Sequence, residues 1–166
     1  MRRKATGSLV NDALLPGKRL YMFATGTGIA PFASLIRDPE TYEKYEHVVL
    51  CHTCREVAEL EYGKHLVAGL IDDELIGEMA ARQLVHYTSV TREDYPVRGR
   101  QTDLMASGKL FADLGVSPIH PGSDRVMICG AMGMLRDTKA ALEGFGLTEG
   151  SNSNPGTFVV ERAFVD

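Results

Sequence analysis

The chain has 166 residues, of which 44% are hydrophobic and 24% are charged, and its formal net charge is −4. This length and balance fit one globular domain with a buried core, and the negative charge argues against a nucleic-acid-binding protein. The longest apolar runs are about five residues, whereas roughly 20 are needed to span a membrane.

Strand-like apolar runs alternate with helical patterns along the chain. The predicted strands are Leu20–Ala24, His47–Cys51, Leu84–Val90, Arg125–Cys129 and Thr157–Val160. The predicted helices are Ala30–Arg37, Glu56–Ile71, Asp72–Ala81, Thr102–Phe111 and Met134–Phe145. This alternation predicts an α/β fold with a doubly wound, five-stranded parallel sheet. We expect residues 19–166 to form that domain, and residues 1–18, which do not follow the alternation, to be the edge of another module.

A glycine turn follows the first predicted strand and precedes a helical pattern. Glycines allow the backbone to approach a phosphate closely, and a helix start offers unpaired N–H groups. The turn therefore predicts a pyrophosphate site, although Pro31 stands where the full dinucleotide fingerprint has its third glycine, and an ordinary strand-to-helix turn explains the pattern as well. The candidate binding residues in this turn are Thr25, Gly26, Thr27, Gly28, Ala30 and Pro31.

Arginines follow the next two strands, where an NAD site usually has an acidic residue. Thr53 and Arg55 end the second strand, Arg92 follows the third, and Arg100 comes slightly later. Arginine binds a phosphate dianion through paired hydrogen bonds, so these residues could form a pocket for the 2′-phosphate of NADP(H). Three solvated surface arginines are the alternative interpretation.

Three cysteines, Cys51, Cys54 and Cys129, fit reduced thiols and a cytoplasmic protein better than a disulfide framework. Cys51 and Cys54 form a C-x-x-C pattern that could act as a redox dithiol, although Cys51 also suits the buried end of a strand. The histidines show no standard metal-binding spacing, so no metal site is predicted.

Five ordered segments give the chain a close resemblance to the bacterial ferredoxin/flavodoxin–NADP(+) reductases. These segments are ATGTGIAPFASLIRDPETYE, VVLCHTCREVAELEY, TSVTRE with the later GR, DRVMICGAMGMLRDT and GSNSNPGTFVVERAFVD. The resemblance implies an NADP(H)-binding domain that takes part in hydride transfer between NADPH and FAD and in electron transfer to ferredoxin or flavodoxin.

The same resemblance implies roles for individual residues. Gly130, Ala131 and Met132 match the loop beside the nicotinamide, and Cys129 and Glu161 match positions close to hydride transfer. Ala163 and Phe164 resemble C-terminal residues that pack against the flavin.

The family's N-terminal FAD-binding barrel and its Arg-x-Tyr-Ser type motif are absent from this sequence. Residues 1–10 resemble only the end of that barrel. We therefore expect an incomplete reductase on its own, served by a separate FAD-binding domain. A flavin-free nucleotide-binding or sensor module and the C-x-x-C thiol redox protein remain the alternatives.

Overall fold

The structure, a computed structural model, describes residues 13–151 and 153–162 and contains one five-stranded parallel sheet. The strands are β1 (Arg19–Thr25), β2 (His47–Cys54), β3 (Leu84–Val90), β4 (Asp124–Gly130) and β5 (Phe158–Arg162). Their spatial order is β3-β2-β1-β4-β5, so the chain reverses its winding between β1 and β4. The predicted fold class is confirmed, and the reversal puts the carboxyl end of β1 at the position where ligands bind in such sheets.

Seven α-helices occur within the described residues, together with two 3₁₀ turns at Gly26–Ile29 and Val57–Leu60. The α-helices are α1 (Ala30–Ile36), α2 (Pro39–Lys44), α3 (Glu61–Ile71), α4 (Gly77–Gln83), α5 (Gln101–Ser107), α6 (Lys109–Leu114) and α7 (Met132–Gly144). None of them combines the length and apolar character of a membrane-crossing helix.

The helices cover both faces of the sheet. On one face α1 to α4 pack over Leu20, Met22 and Leu50, and on the other α5 to α7 pack over Phe23, Val126 and Ile128. Strands buried on both sides explain the nearly continuous apolar runs of β1 and β4.

The apolar spacing of the segment 56–71 predicts one buried face formed by Val57, Leu60, Val67 and Ile71, and this prediction is partly wrong. Leu60 is buried as predicted, but Ile71 is 55% exposed, and Leu66 and Leu70 face the core instead. The 3₁₀ turn at Val57–Leu60 precedes α3, so a single helical period does not run through the whole segment.

The described residues that precede β1 pack onto this domain. Ala13 and Leu14 are buried in the core cluster beside α1. The backbone N–H of Leu15 donates to the carbonyl oxygen of Gly156 at 2.9 Å, and that of Lys18 donates to Ser123 at 2.8 Å. Residues 13–18 are thus structurally continuous with residues 19–162; the origin of residues 1–18 as the edge of another module stays a prediction, and residues 1–12 lie outside the described residues.

Candidate nucleotide-binding site

A cleft of about 680 Å³ lies at the carboxyl ends of the strands, beside the point where the winding reverses. The glycine turn forms one wall through Thr25, Gly26 and Thr27. The end of β2, the loops after β2 and β3, and the N-terminal parts of α5 and α7 form the remainder. This volume lies within the range of small-molecule and cofactor sites in proteins.

The three candidate arginines all line this cleft. Arg55, Arg92 and Arg100 are exposed side chains at its rim. The backbone holds the first two together, because the N–H of Arg92 donates to the carbonyl oxygen of Arg55 at 3.0 Å. The intervening loop folds back where the N–H of Gly99 donates to Val90 at 3.0 Å, which returns the chain to the rim at Arg100. All three side chains are exposed, so their binding of a phosphate stays a prediction beside the alternative of three solvated surface arginines.

Two carboxylates share the cleft with the arginines, namely Glu59 and Asp137. Glu59 is part of a capping box, in which its Oε1 accepts from the backbone N–H of Glu56 at 3.2 Å. The lining of the rim formed by the loops after β2 and β3 is therefore net cationic, since three arginines outnumber its one carboxylate. A second hollow, of about 340 Å³, continues from Arg92 and Arg100 towards Arg98.

The candidate residues of the glycine turn divide into two groups. Thr25, Gly26 and Thr27 line the cleft, whereas Gly28, Ala30 and Pro31 are not among its lining residues. Gly28 is buried, and a Cβ there would collide with the backbone carbonyl of Cys129. Its small size therefore permits the turn to pack closely on the end of β4.

Thr53 lines the cleft, but its hydroxyl already has a partner. Thr53 is buried, and its Oγ1 lies 2.7 Å from the Oγ of Ser89 on the adjacent strand. Thr53 therefore offers a nucleotide one face of a side chain that a cross-strand hydrogen bond holds in place.

The loop after β4 reaches the cleft through Ala131, which precedes the first turn of α7. Gly130 is buried, and Met132 is 49% exposed outside the cleft lining. A Cβ on Gly130 would lie 2.5 Å from Thr25 Oγ1. Gly130 therefore brings the glycine turn and the start of α7 together, which a larger residue would prevent.

Cys129 and Glu161 are neighbours across β4 and β5. Cys129 is fully buried, and burial, with a smaller contribution from Glu161, raises the pKa of its thiol to about 11. Burial also raises the pKa of Glu161, which is partly exposed. A buried, protonated thiol is unsuited to act as a nucleophile, and the proximity of these residues to hydride transfer stays a prediction. Ala163 and Phe164 lie outside the described residues.

The C-x-x-C cysteines do not form a dithiol pair. Cys51 and Cys54 both lie within β2 and pack into different core clusters. Positions three apart in a strand are about 10 Å apart and point to opposite faces, which is too far for a disulfide. Burial raises the pKa of both thiols, that of Cys54 to about 11. The geometry therefore does not support the thiol redox alternative. Within the described residues there is also no group of three or more His, Cys, Asp or Glu side chains that could hold a metal ion.

Several lining residues were missed by the sequence analysis. They are Thr91, Gln101, Thr102, Gly133, Met134, Asp137 and Thr138. Gln101 and Thr138 are buried polar residues on α5 and α7. Their helical positions look like ordinary surface positions in the sequence, and only the packing of the helices brings them to the cleft.

The chain is similar in sequence to a known family and to several characterised reductases. Residues 22–140 match the family described as "Oxidoreductase NAD-binding domain". The flavodoxin/ferredoxin–NADP reductase of Rhodobacter capsulatus is 56% identical over 165 residues, which cover 99% of this chain and 61% of that protein. The ferredoxin–NADP reductase of Pseudomonas aeruginosa is 52% identical, over 99% of this chain and 64% of that protein. The chain thus spans about three fifths of these relatives.

Among solved structures, the chain is similar to a ferredoxin NADP+ reductase from Neisseria gonorrhoeae, described with bound FAD and NADP. The TM-score is 0.82 at 29% sequence identity, and the match covers 96% of this chain and 61% of that one. The resemblance to the reductases that the five sequence segments indicated is confirmed.

Proposed function

The chain belongs to the oxidoreductase NAD-binding domain family, and from this premise we propose that it is the NADP(H)-binding part of a flavin-dependent ferredoxin– or flavodoxin–NADP reductase. One observation carries the proposal: the glycine turn and three arginines line the same cleft. An NAD site would instead place a carboxylate at the end of β2 to bind the ribose hydroxyl.

The arginine rim suits a doubly charged phosphate ester. Arg55 and Arg92 leave adjacent strands side by side, and Arg100 lies on the same rim. Hydrogen bonds that involve charged groups contribute about 1.5–3 kcal/mol each. One such bond to the 2′-phosphate is therefore enough to favour NADP(H) over NAD(H) by a factor of about ten or more.

The glycine turn suits the pyrophosphate. Gly26 has a φ of +52° and lines the cleft between Thr25 and Thr27, so its backbone is bare on the side that a ligand approaches. The first turn of the 13-residue α7 opens onto the same cleft through Ala131 and Gly133 and adds the positive end of its dipole.

FAD, the cofactor named for the Neisseria neighbour, would supply the chemistry that divides a two-electron hydride from NADPH into single electrons for ferredoxin or flavodoxin. Within the described residues, this chain contributes Cys129 and Glu161 at the ends of β4 and β5. Cys129 contributes a neutral thiol there, and burial raises the pKa of the partly exposed Glu161 carboxyl group. We propose that most of the FAD site belongs to a separate FAD-binding domain.

Isothermal calorimetry on the 166-residue chain tests the nucleotide assignment. We expect 2′-phospho-AMP to bind at least about tenfold more tightly than AMP, because only the former carries the ester that the arginines select. Equal affinities would overturn the assignment. Flavin bands, or a co-purifying flavoprotein, in material from the natural host would exclude a flavin-free nucleotide-binding module.

A further inference from the structure

His52 contacts the glycine turn from the neighbouring strand. It lies on β2 directly beside Ala24 of β1 and is only 1% exposed. Its Nε2 atom is 2.8 Å from the carbonyl oxygen of Gly26. Because a carbonyl oxygen only accepts hydrogen bonds, the hydrogen must be on Nε2, and His52 is the donor.

The other nitrogen of the ring is enclosed. Nδ1 is buried and has no hydrogen-bond partner within the described part of the chain. Gly63 of α3 covers it so closely that a Cβ there would lie 3.2 Å from Nδ1. Burial lowers the pKa of His52, with smaller opposing effects from Gly26 and Glu59. The ring is therefore neutral, and its one N–H points at the glycine turn.

Cys54 lies beside His52 on the same face of β2. Its Sγ lies 3.3 Å from His52 Nε2. Burial raises the pKa of this thiol, with a smaller opposing effect from the Gly26 backbone. His52 thus holds the one residue of the turn that has a positive φ, and Cys54 lies against the ring of His52.

We propose that His52 is a positioning residue for the pyrophosphate: its Nε2–H fixes the Gly26 carbonyl, so that the flanking Thr25 and Thr27 present the turn to the nucleotide. This inference rests on the proposed function and deepens it. It assigns the main effect of His52 to the pyrophosphate half of the ligand, because its hydrogen bond goes to the turn after β1, whereas the arginines lie on the loops after β2 and β3.

Two substitutions distinguish the contribution of His52 Nε2 from that of Nδ1. In His52→Gln the side-chain amide nitrogen can occupy the place of Nε2, whereas in His52→Asn it reaches only the place of Nδ1. His86→Gln is the control, because His86 is a half-buried histidine that also lies beside Gly63 but has no hydrogen bond to Gly26 among the described residues.

Calorimetry of each variant with NADP+ and with 2′-phospho-AMP provides the test. We expect His52→Asn to weaken NADP+ at least about tenfold and 2′-phospho-AMP, which has no pyrophosphate, less than about threefold. His52→Gln should retain most of the NADP+ affinity, and His86→Gln should match the wild type. An equal loss for both ligands in His52→Asn, or no rescue in His52→Gln, would overturn the proposal.

The tautomer gives a second readout that needs no variant. Nitrogen-15 NMR of the wild-type chain at neutral pH should show His52 with its hydrogen on Nε2; a hydrogen on Nδ1 would overturn the proposal. If the wild type shows no preference for 2′-phospho-AMP over AMP, the proposed function fails instead, and the two failures remain distinct.

Discussion

Gln101 donates a hydrogen bond from Nε2 to the carbonyl oxygen of Ala24 at 2.9 Å. The same nitrogen donates to the carbonyl oxygen of Cys51 at 3.1 Å, so one buried amide joins the starting residue of α5 to both β1 and β2. Arg100 immediately precedes Gln101. The position of that arginine on the rim therefore depends on an anchor in the sheet beneath it.

Removal of this anchor should affect stability and binding together. Gln101→Met keeps the length of the side chain but leaves two buried carbonyl oxygens without this donor, which should lower the free energy of unfolding by about 1–3 kcal/mol. Urea denaturation measures that loss. We also expect weaker binding of 2′-phospho-AMP in the folded variant. Thr102→Ala, at the adjacent partly exposed position, is the control for stability alone because Thr102 lines the cleft, and equal stability of both variants would contradict the anchoring role.

Arg55→Ala should remove most of the preference for a 2′-phosphate. Loss of one charged hydrogen bond predicts about a tenfold or greater fall in affinity for 2′-phospho-AMP, with a smaller change for AMP. Calorimetry checks both ligands. Arg37→Ala is the matched control, because Arg37 is exposed, lies at the end of α1 and is not among the cleft residues. A similar fall in Arg37→Ala would indicate a general charge effect.

Two glycine substitutions should have opposite effects on stability. Gly69→Ala lies within α3 with no atom near its added methyl group, and alanine should stabilise the helix by about 0.5–1 kcal/mol. Gly28→Ala would force a methyl group against the Cys129 carbonyl and should destabilise the protein by about 1–3 kcal/mol. Thermal unfolding measures both, and a stable Gly28→Ala variant would contradict the close packing of the turn on β4.

The free energy of unfolding should decrease as the pH falls below about 6.5, because of His86. Burial, with smaller contributions from His52 and Lys64, lowers its pKa to about 4 from an ordinary value of 6.5. In the unfolded chain His86 therefore becomes protonated below about pH 6.5, whereas in the folded chain it becomes protonated only near pH 4. The stabilisation is complete above pH 6.5 and declines between those values by at most about 1.4 kcal/mol per pH unit.

Urea denaturation between pH 7 and pH 4.5 checks this dependence. His86→Gln should show a shallower decline than the wild type, while His47→Gln, at an exposed position at the start of β2, should not. His52, whose pKa burial also lowers, should account for part of the remaining slope. Identical slopes in all three proteins would contradict the assignment to His86.

The strands could be predicted from the sequence because strands that are buried on both faces consist of nearly continuous apolar runs. Leu84–Val90 has the predicted bounds, and the other four strands differ only at their ends. The helices were harder. The predicted helix Thr102–Phe111 is divided into α5 and α6 because Gly108 adopts a φ of +81°. The helix α2 was not predicted. Pro39, which follows the end of α1, is also the first residue of α2, and Asp38 caps that helix.

The glycine turn and the arginines could be found from the sequence because they follow strand ends in chain order. Gln101 and His52 could not, since each acts through a backbone carbonyl that is distant in sequence. Alternation along β2 was the available signal for His52: it puts His52 and Cys54 on one face, opposite Cys51 and Thr53. The C-x-x-C pattern instead suggested a pair of nearby sulfurs, and it does not indicate which residues share a face of the strand.

The packing of Ala13 and Leu14 has a practical consequence for work on the isolated domain. A shortened protein that began at the first residue of β1 would lack both side chains and would expose the apolar surface they cover. It would also lose the pairing of Leu14 with Gly156 next to β5. N-terminal truncations should therefore retain Ala13 and Leu14; otherwise poor solubility will be mistaken for weak affinity.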